Sequence, residues 1–208
     1  VKPHAWVLYD VCLHGLEILR LLLSNTNIDF NISLPQESNN TILHFILHIP
    51  RERLQDNKED VVKLLLRTGT SLLQRDRLGD TPLHLLAGDN TPDGGRLLKI
   101  LFNDFSKLRE LCSTYINSKN NYGNTPLVVA VLYNNIKCVQ LLLDYRADPY
   151  SPGKYGMTAL DFTGQMEYAE ITALLLAHMA KREQEQQEAA NNGASGDERL
   201  LKQTSPSL

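Results

Sequence analysis

The 208-residue chain is poor in cysteine, balanced in charge and without a long apolar run, and each of these shortages closes off a class of function. Cys12, Cys112 and Cys138 are odd in number and far apart, and none belongs to the CxxC pair that zinc or redox chemistry uses. They read as reduced, buried thiols. With 21 basic against 24 acidic residues, and 17 against 19 up to Ala180, neither sign dominates. A nucleic-acid or membrane-surface partner has no electrostatic support. The run from Leu16 to Leu23 is broken by Glu17 and Arg20 and falls far short of the roughly 20 apolar residues that cross a bilayer. Val1 to Leu8 has no initiator Met, no basic-then-apolar leader and no small-residue cleavage site, which reads as a cytoplasmic or nuclear chain excised from a longer one. What remains is 42% hydrophobic and 22% charged, the balance of a chain that buries a core.

Internal repetition organises that core. Thr81-Pro82-Leu83-His84 returns as Thr41-Ile42-Leu43-His44, Thr125-Pro126-Leu127-Val128 and Thr158-Ala159-Leu160-Asp161. A second phrase, two apolar residues leading to a leucine run, appears around Leu21-Leu22-Leu23, Leu64-Leu65-Leu66, Leu141-Leu142-Leu143 and Leu174-Leu175-Leu176. Thr125 precedes Leu141 by 16 residues, Thr158 precedes Leu174 by 16, and Thr125 precedes Thr158 by 33. Leucine runs some 33 residues apart, instead of seven, exclude a zipper seam.

Each copy spells out two helices. A Thr can cap the first free amides, and Pro fits the next position because its missing donor is not needed there. Leu127, Ala130 and Val131, then Val139, Leu142 and Leu143, are two helical stripes separated by Asn134-Asn135. Gly79, Gly123 and Gly156 stand two positions before the opening Thr, where a tight turn calls for positive φ, and Asn39 holds that place in an earlier copy. Arg146 occupies the left-handed exit of a second helix, where Gly69 sits in another copy.

A 33-residue period carrying these phrases in one register resembles the ankyrin-repeat family over about residues 5–180. The resemblance implies an all-α repeat solenoid of helix-turn-helix pairs with β-hairpin-like finger loops. On this basis residues 1–181 form the repeat domain, with copies at about 3–36, 37–76, 77–120, 121–153 and 154–181. Residues 182–208 continue the last helix for a turn or two and end in a polar, disordered tail, in which Ser205-Pro206 could take a phosphate. The spacing departs from regularity twice. Thr41 to Thr81 is 40 residues, with a charged insertion inside Pro50 to Lys58. Thr81 to Thr125 is 44, with extra residues in a glycine-rich loop near Asp93-Gly94-Gly95 and more between Asp104 and Tyr115, where a helix is lengthened or added.

Candidate chemical sites fail one by one. His44 and His48 share a helix face at zincin spacing, but the residues between them lack the general-base glutamate and no third ligand stands near in sequence. His44 and His84 instead hold the phrase position where the family's histidine ties neighbouring copies by hydrogen bonds. Cys138 falls in an apolar stripe, where a thiol is inert. Gly94-Gly95 lacks the strand and the Lys-Ser/Thr pair of a phosphate loop. The expectation is a non-enzyme with no metal and no cofactor.

What the family resemblance implies instead is a binding surface for a protein or peptide on the concave face, made of finger tips and first-helix ends. By position these are Arg77, Leu78 and Asp80, then Asn121, Tyr122 and Asn124, then Lys154, Tyr155 and Met157, with Leu132, Tyr133, Gln165 and Met166 from the helix ends. Exposed tyrosines are common interface anchors, although Tyr133 could instead pack on the adjacent copy. The partner is another protein, with no nucleic acid and no membrane, and the chain alone is a monomer. Two alternatives stand beside this one: the recruiting arm of a larger multidomain enzyme or effector, and an ankyrin-type inhibitor of a transcription factor.

Overall fold

Among the described residues, four helix pairs stack in two layers. The computed structural model describes residues 41–50, 58–105 and 112–203, together with Leu21, Phe30 and Asn31. The first pair is α1 (Ile42–His48) and α2 (Lys58–Arg67), and the second is α3 (Pro82–Gly88) and α4 (Pro92–Phe105), followed by the short α5 (Cys112–Ile116). The third is α6 (Pro126–Leu132) and α7 (Ile136–Asp144), and the fourth is α8 (Ala159–Met166) and α9 (Ala169–Gln203). First helices pack on first helices, α1 on α3, α3 on α6 and α6 on α8. Second helices do the same, α2 on α4, α4 on α7 and α7 on α9. The described residues contain no β-strand, so the fold is an all-α repeat stack.

The apolar stripes explain the layers. Leu43, Leu83, Leu127 and Ala159 from the first helices, and Leu65, Leu98, Leu142 and Leu175 from the second, are all sealed from solvent. No helix of the described residues buries enough by itself, so the core runs continuously through the stack. Phe102 of α4 stacks on Tyr145 at the end of α7, with centroids 4.0 Å apart and an interplanar angle of 11°. This aromatic pair clamps the outer layer between the second and third pairs.

The turns follow the glycine pattern. Gly69, Gly79, Gly123 and Gly156 all have φ between 75° and 80°. Other residues take the left-handed conformation too: Arg146 at φ 68°, in the place of Gly69, Asn134 at 52°, Tyr155 at 60°, just before Gly156, and Glu167 at 58°. At Arg146 the exit is a Schellman turn, in which the Ala147 amide donates to the Leu142 carbonyl at 2.8 Å and the Arg146 amide to Leu143 at 2.9 Å. The Asn134-Asn135 turn repeats this on the carbonyls of Val131 and Ala130.

Several expectations change. Asp93-Gly94-Gly95 is not a stretched loop but the first turn of α4, entered through Pro92. A Cβ on Gly94 would lie 2.2 Å from the Asp89 carbonyl, so glycine is there for a close approach of helix to loop. The later insertion both lengthens a helix, α4 reaching Phe105, and adds one, α5. Lys58, placed in a charged insertion, opens α2 and is buried, its Nζ donating to the carbonyls of Leu47 and Ile49 at 2.9 Å each. A cation there satisfies the free carbonyls where α1 ends. The last helix continues to Gln203, several turns beyond the one or two expected. The first copy apart from Leu21, Phe30 and Asn31, and with it Cys12, as well as Asn39 and Ser205-Pro206, lies outside the described residues.

Candidate protein-binding groove

In the second and third pairs the finger before the first helix is built by one side chain and one glycine. In the second pair, Asp76 Oδ1 accepts from the amides of Leu78 and Asp80, both at 2.8 Å, while the Asp76 amide donates to the Asp80 carbonyl at 2.9 Å. Asn120 does the same in the third, accepting from Tyr122 and Asn124 at 3.0 Å and donating its own amide to the Asn124 carbonyl at 3.0 Å. These are Asx turns closed by a main-chain bond. The finger of the fourth pair has Gly153 in that place. There the amide of Lys154 donates to Asn124 Oδ1 at 2.9 Å, and a Cβ on Gly153 would meet that oxygen at 2.9 Å.

Histidine fastens one finger to the next. His84 Nδ1 faces both the Thr81 amide, at 3.2 Å, and the Thr81 hydroxyl, at 2.9 Å, so Nδ1 is the acceptor and the proton sits on Nε2. Nε2–H then donates to the Asn124 carbonyl at 3.0 Å. His44 repeats the arrangement, with Nδ1 2.8 Å from the Thr41 hydroxyl and Nε2 donating to the Asp80 carbonyl at 3.1 Å. Both rings are sealed in, and burial lowers both from the ordinary histidine range, His84 to about 4. Every ring nitrogen is committed, so neither imidazole is a metal ligand or a base. Where the third pair has Val128 instead, the Thr125 hydroxyl accepts from the Val128 amide at 3.3 Å, a plain helix cap.

Between the fingers and the first helices lies a groove of about 1070 Å³. Six of the residues expected to bind a partner line it: Leu78, Asp80, Leu132, Tyr122, Asn124 and Tyr133. Arg77, Lys154, Tyr155, Met157 and Met166 do not. Leu78, Tyr122 and Tyr133 are exposed at 48%, 51% and 60%, and Tyr155 at 83%. Tyr133 answers both sequence possibilities at once. A Cβ added to Gly88 of the neighbouring pair would lie 3.4 Å from its ring, while its outer surface stays open.

Two expected contact residues turn inward. Asn124, only 7% exposed, ties two fingers together through its carbonyl and its side-chain oxygen. Asp80 is half-buried, with Oδ1 accepting from Asn120 Nδ2 at 2.7 Å, and burial raises its carboxyl from the ordinary aspartate range against that hydrogen bond. Asn121 is exposed, yet it too is engaged, its amide donating to the Leu78 carbonyl and its Nδ2 to the Arg77 carbonyl, both at 3.0 Å. The groove wall also includes Leu85 and Val129, absent from the expected set. Both stand four residues after the opening Thr, a register position that could have been marked along with the seventh and eighth. Arg96 and Asp93 join the wall from α4, 3.9 Å apart.

The Cys138 thiol is not reactive. Cys138 is buried against the Leu86 carbonyl, which its Sγ approaches at 3.4 Å, and burial pushes its pKa up to about 12. Among the described residues no group of three His, Cys, Asp or Glu gathers as a metal site. No helix there is long and apolar enough to cross a membrane.

Sequence comparison adds a decisive match. The model of ankyrin repeats in three copies matches residues 52–152 and 97–187, well over half the chain. The chain belongs to the ankyrin-repeat family. Among relatives, it is similar to the ANK repeat-containing protein nipk-1 of Caenorhabditis elegans, 40% identical over 80 residues, which cover 38% of this chain and 13% of the relative. It is similar to ankyrin repeat protein nuc-2 of Neurospora crassa, 32% identical over 130 residues, covering 62% of this chain and 11% of the relative. The nuclear factor NF-kappa-B p105 subunit of Rattus norvegicus is 37% identical over 86 residues, covering 41% and 8%. The chain thus spans a small part of the length of the relatives it matches. Ankyrin repeats generally mediate protein-protein interaction.

Proposed function

We propose that the chain is a non-enzymatic module of five ankyrin copies, with bounds as expected from the sequence, that binds a protein or peptide in the groove between its fingers and first helices. The observation that carries this is the groove itself. Three large side chains, Leu78, Tyr122 and Tyr133, stand open around an opening of about 1070 Å³ on a backbone that hydrogen bonds hold in place. Rigid, exposed aromatic residues around a concavity are what hot spots are made of. The chemistry of the stack points the same way, because His44 and His84 spend both ring nitrogens on hydrogen bonds and Cys138 is buried.

Capture from a cell lysate on immobilised full chain, compared with a Tyr122→Ala/Tyr133→Ala/Tyr155→Ala variant of unchanged circular dichroism, tests the proposal. A protein retained by the parent and lost by the variant is the expected result. Equal retention by both would refute the groove. A second reading, in which the module recruits substrates for a larger protein, is favoured by the length of the relatives, of which it matches 13% in nipk-1 and 11% in nuc-2.

A further inference from the structure

The finger edge carries cations that the fold does not use. Residues 74–80, 118–124 and 152–157 hold four basic side chains, Arg75, Arg77, Lys119 and Lys154, against two carboxylates, Asp76 and Asp80. Both carboxylates accept hydrogen bonds within the fingers, Asp76 from the amides of its own turn and Asp80 from Asn120. Arg75 is likewise engaged, donating to the carbonyls of Lys119 and Gly79. Arg77, Lys119 and Lys154 are exposed, and none has a carboxylate partner among the described residues.

Large side chains stand beside these charges. Leu78, Tyr122 and Tyr155 occupy one register position, three residues before the opening Thr, and all three are exposed. Lys154 Nζ lies 4.7 Å from the ring centroid of Tyr155 and 5.8 Å from that of Tyr122. Two aromatic faces therefore hold the ammonium from one side and leave its other donors free. Tyr155 keeps this place at φ 60°, a conformation unfavourable to a side chain with a Cβ, while 83% of its surface contacts no other part of the described protein. The tips are also fastened to one another, through Asn121 on Leu78 and Arg77 and through Lys154 on Asn124. Their spacing is set before any partner arrives.

We infer that the finger edge receives an acidic, apolar-bearing extended segment of a partner protein, its carboxylates on Arg77, Lys119 and Lys154 and its large side chains against Leu78, Tyr122 and Tyr155. This deepens the proposed function and rests on it. Charge complementarity selects the partner. A nucleic acid fits less well, because three free cations neutralise few phosphates and the adjoining groove wall carries Asp80, Asp89 and Asp93. A peptide can space its carboxylates to the tips and turn its apolar side chains toward the groove.

The experiment measures fluorescence anisotropy of the full chain with three probes. One is a short labelled peptide of glutamate, leucine and tyrosine, the second its lysine-for-glutamate counterpart, and the third a labelled oligothymidylate. The acidic peptide should bind at least about tenfold more tightly than either of the others, and raised salt should weaken it. An Arg77→Glu/Lys119→Glu/Lys154→Glu variant of unchanged circular dichroism should lose about tenfold or more of that affinity, whereas Arg146→Glu, away from the fingers, should not. Preference for the lysine peptide or the oligothymidylate, absence of binding to the acidic peptide, or binding indifferent to the triple reversal would overturn the inference. The module reading fails separately, when no protein is captured from lysate in a tyrosine-dependent way.

Discussion

At the scale of single residues, the two buried histidines make stability depend on acid. His84 is held near a pKa of about 4, with burial as the main cause, while an unfolded histidine titrates near 6.5. Between those values the unfolded chain binds more protons than the folded one, so stability rises with pH through this window and falls on acidification. The loss should approach about 3 kcal/mol once the pH is below 4, with His44 adding to it in the same direction. Urea midpoints of the parent should fall from pH 7 to pH 5 more steeply than those of His84→Gln, and parallel curves would show that His84 is not the titrating group. Arg146 offers a second test. It holds φ 68° at the exit of α7, is exposed, and has no ion pair among the described residues. Removing the Cβ relieves roughly 1–2 kcal/mol of left-handed strain, and glycine's unfolded-state entropy takes back roughly 0.5–1. Arg146→Gly should therefore raise the denaturation midpoint by a fraction of a kcal/mol.

The finger is the element on which stability depends and on which the proposed recognition rests. Gly79 combines φ 76° with a close neighbour, since a Cβ there would lie 2.7 Å from the amide nitrogen of Asn121 on the next finger. Gly79→Ala should destabilise by about 2 kcal/mol or more, as strain and collision add, whereas Gly156→Ala, with nothing within 4 Å, should cost only the conformational part. Equal midpoints for the two variants would contradict the close approach. The helices and glycine turns were legible in the sequence because each copy restates them. The inward turn of Asn124 was not, because its position in the phrase fixes where the backbone stands and not which way a short amide leans. Gly94-Gly95 misled for another reason. Glycine is a poor helix former, and the nearness of the Asp89 loop explains Gly94 in the first turn of α4, while nothing in the structure explains Gly95. Lys58 carried no local signal, since its role is to satisfy carbonyls of a helix that ends ten residues earlier.

At the scale of the whole molecule, the stack is one core divided among copies, and damage should spread. Leu142 is sealed within α7, which packs on α4 and α9, so Leu142→Ala should cost about 2–5 kcal/mol and speed hydrogen exchange in both flanking helices. Exchange that rises in α7 alone would show that the copies are independent.

The polar ties described along the stack are unevenly shared, and that has a mechanical consequence. Between the second and third pairs, His84, Asn120, Asn121, Asn135 and Cys138 all reach across. Between the third and fourth, Lys154 reaches Asn124 at the fingers, and Tyr150 and Arg182 make the links to α9 at the far side. Joints in series share one load, and the least fastened yields first. Pulled from its two ends in an optical trap, the stack should part at one of the less fastened joints, where His44 meets Asp80 or where α8 and α9 meet the third pair, while the second and third pairs hold together as a stiff block. Leu78, Tyr122 and Tyr133 ride on that block, and Tyr155 rides on the compliant end. A partner gripping both would act as a splint across the joint between the third and fourth pairs, and its presence should raise the force at which α8 and α9 part from the block.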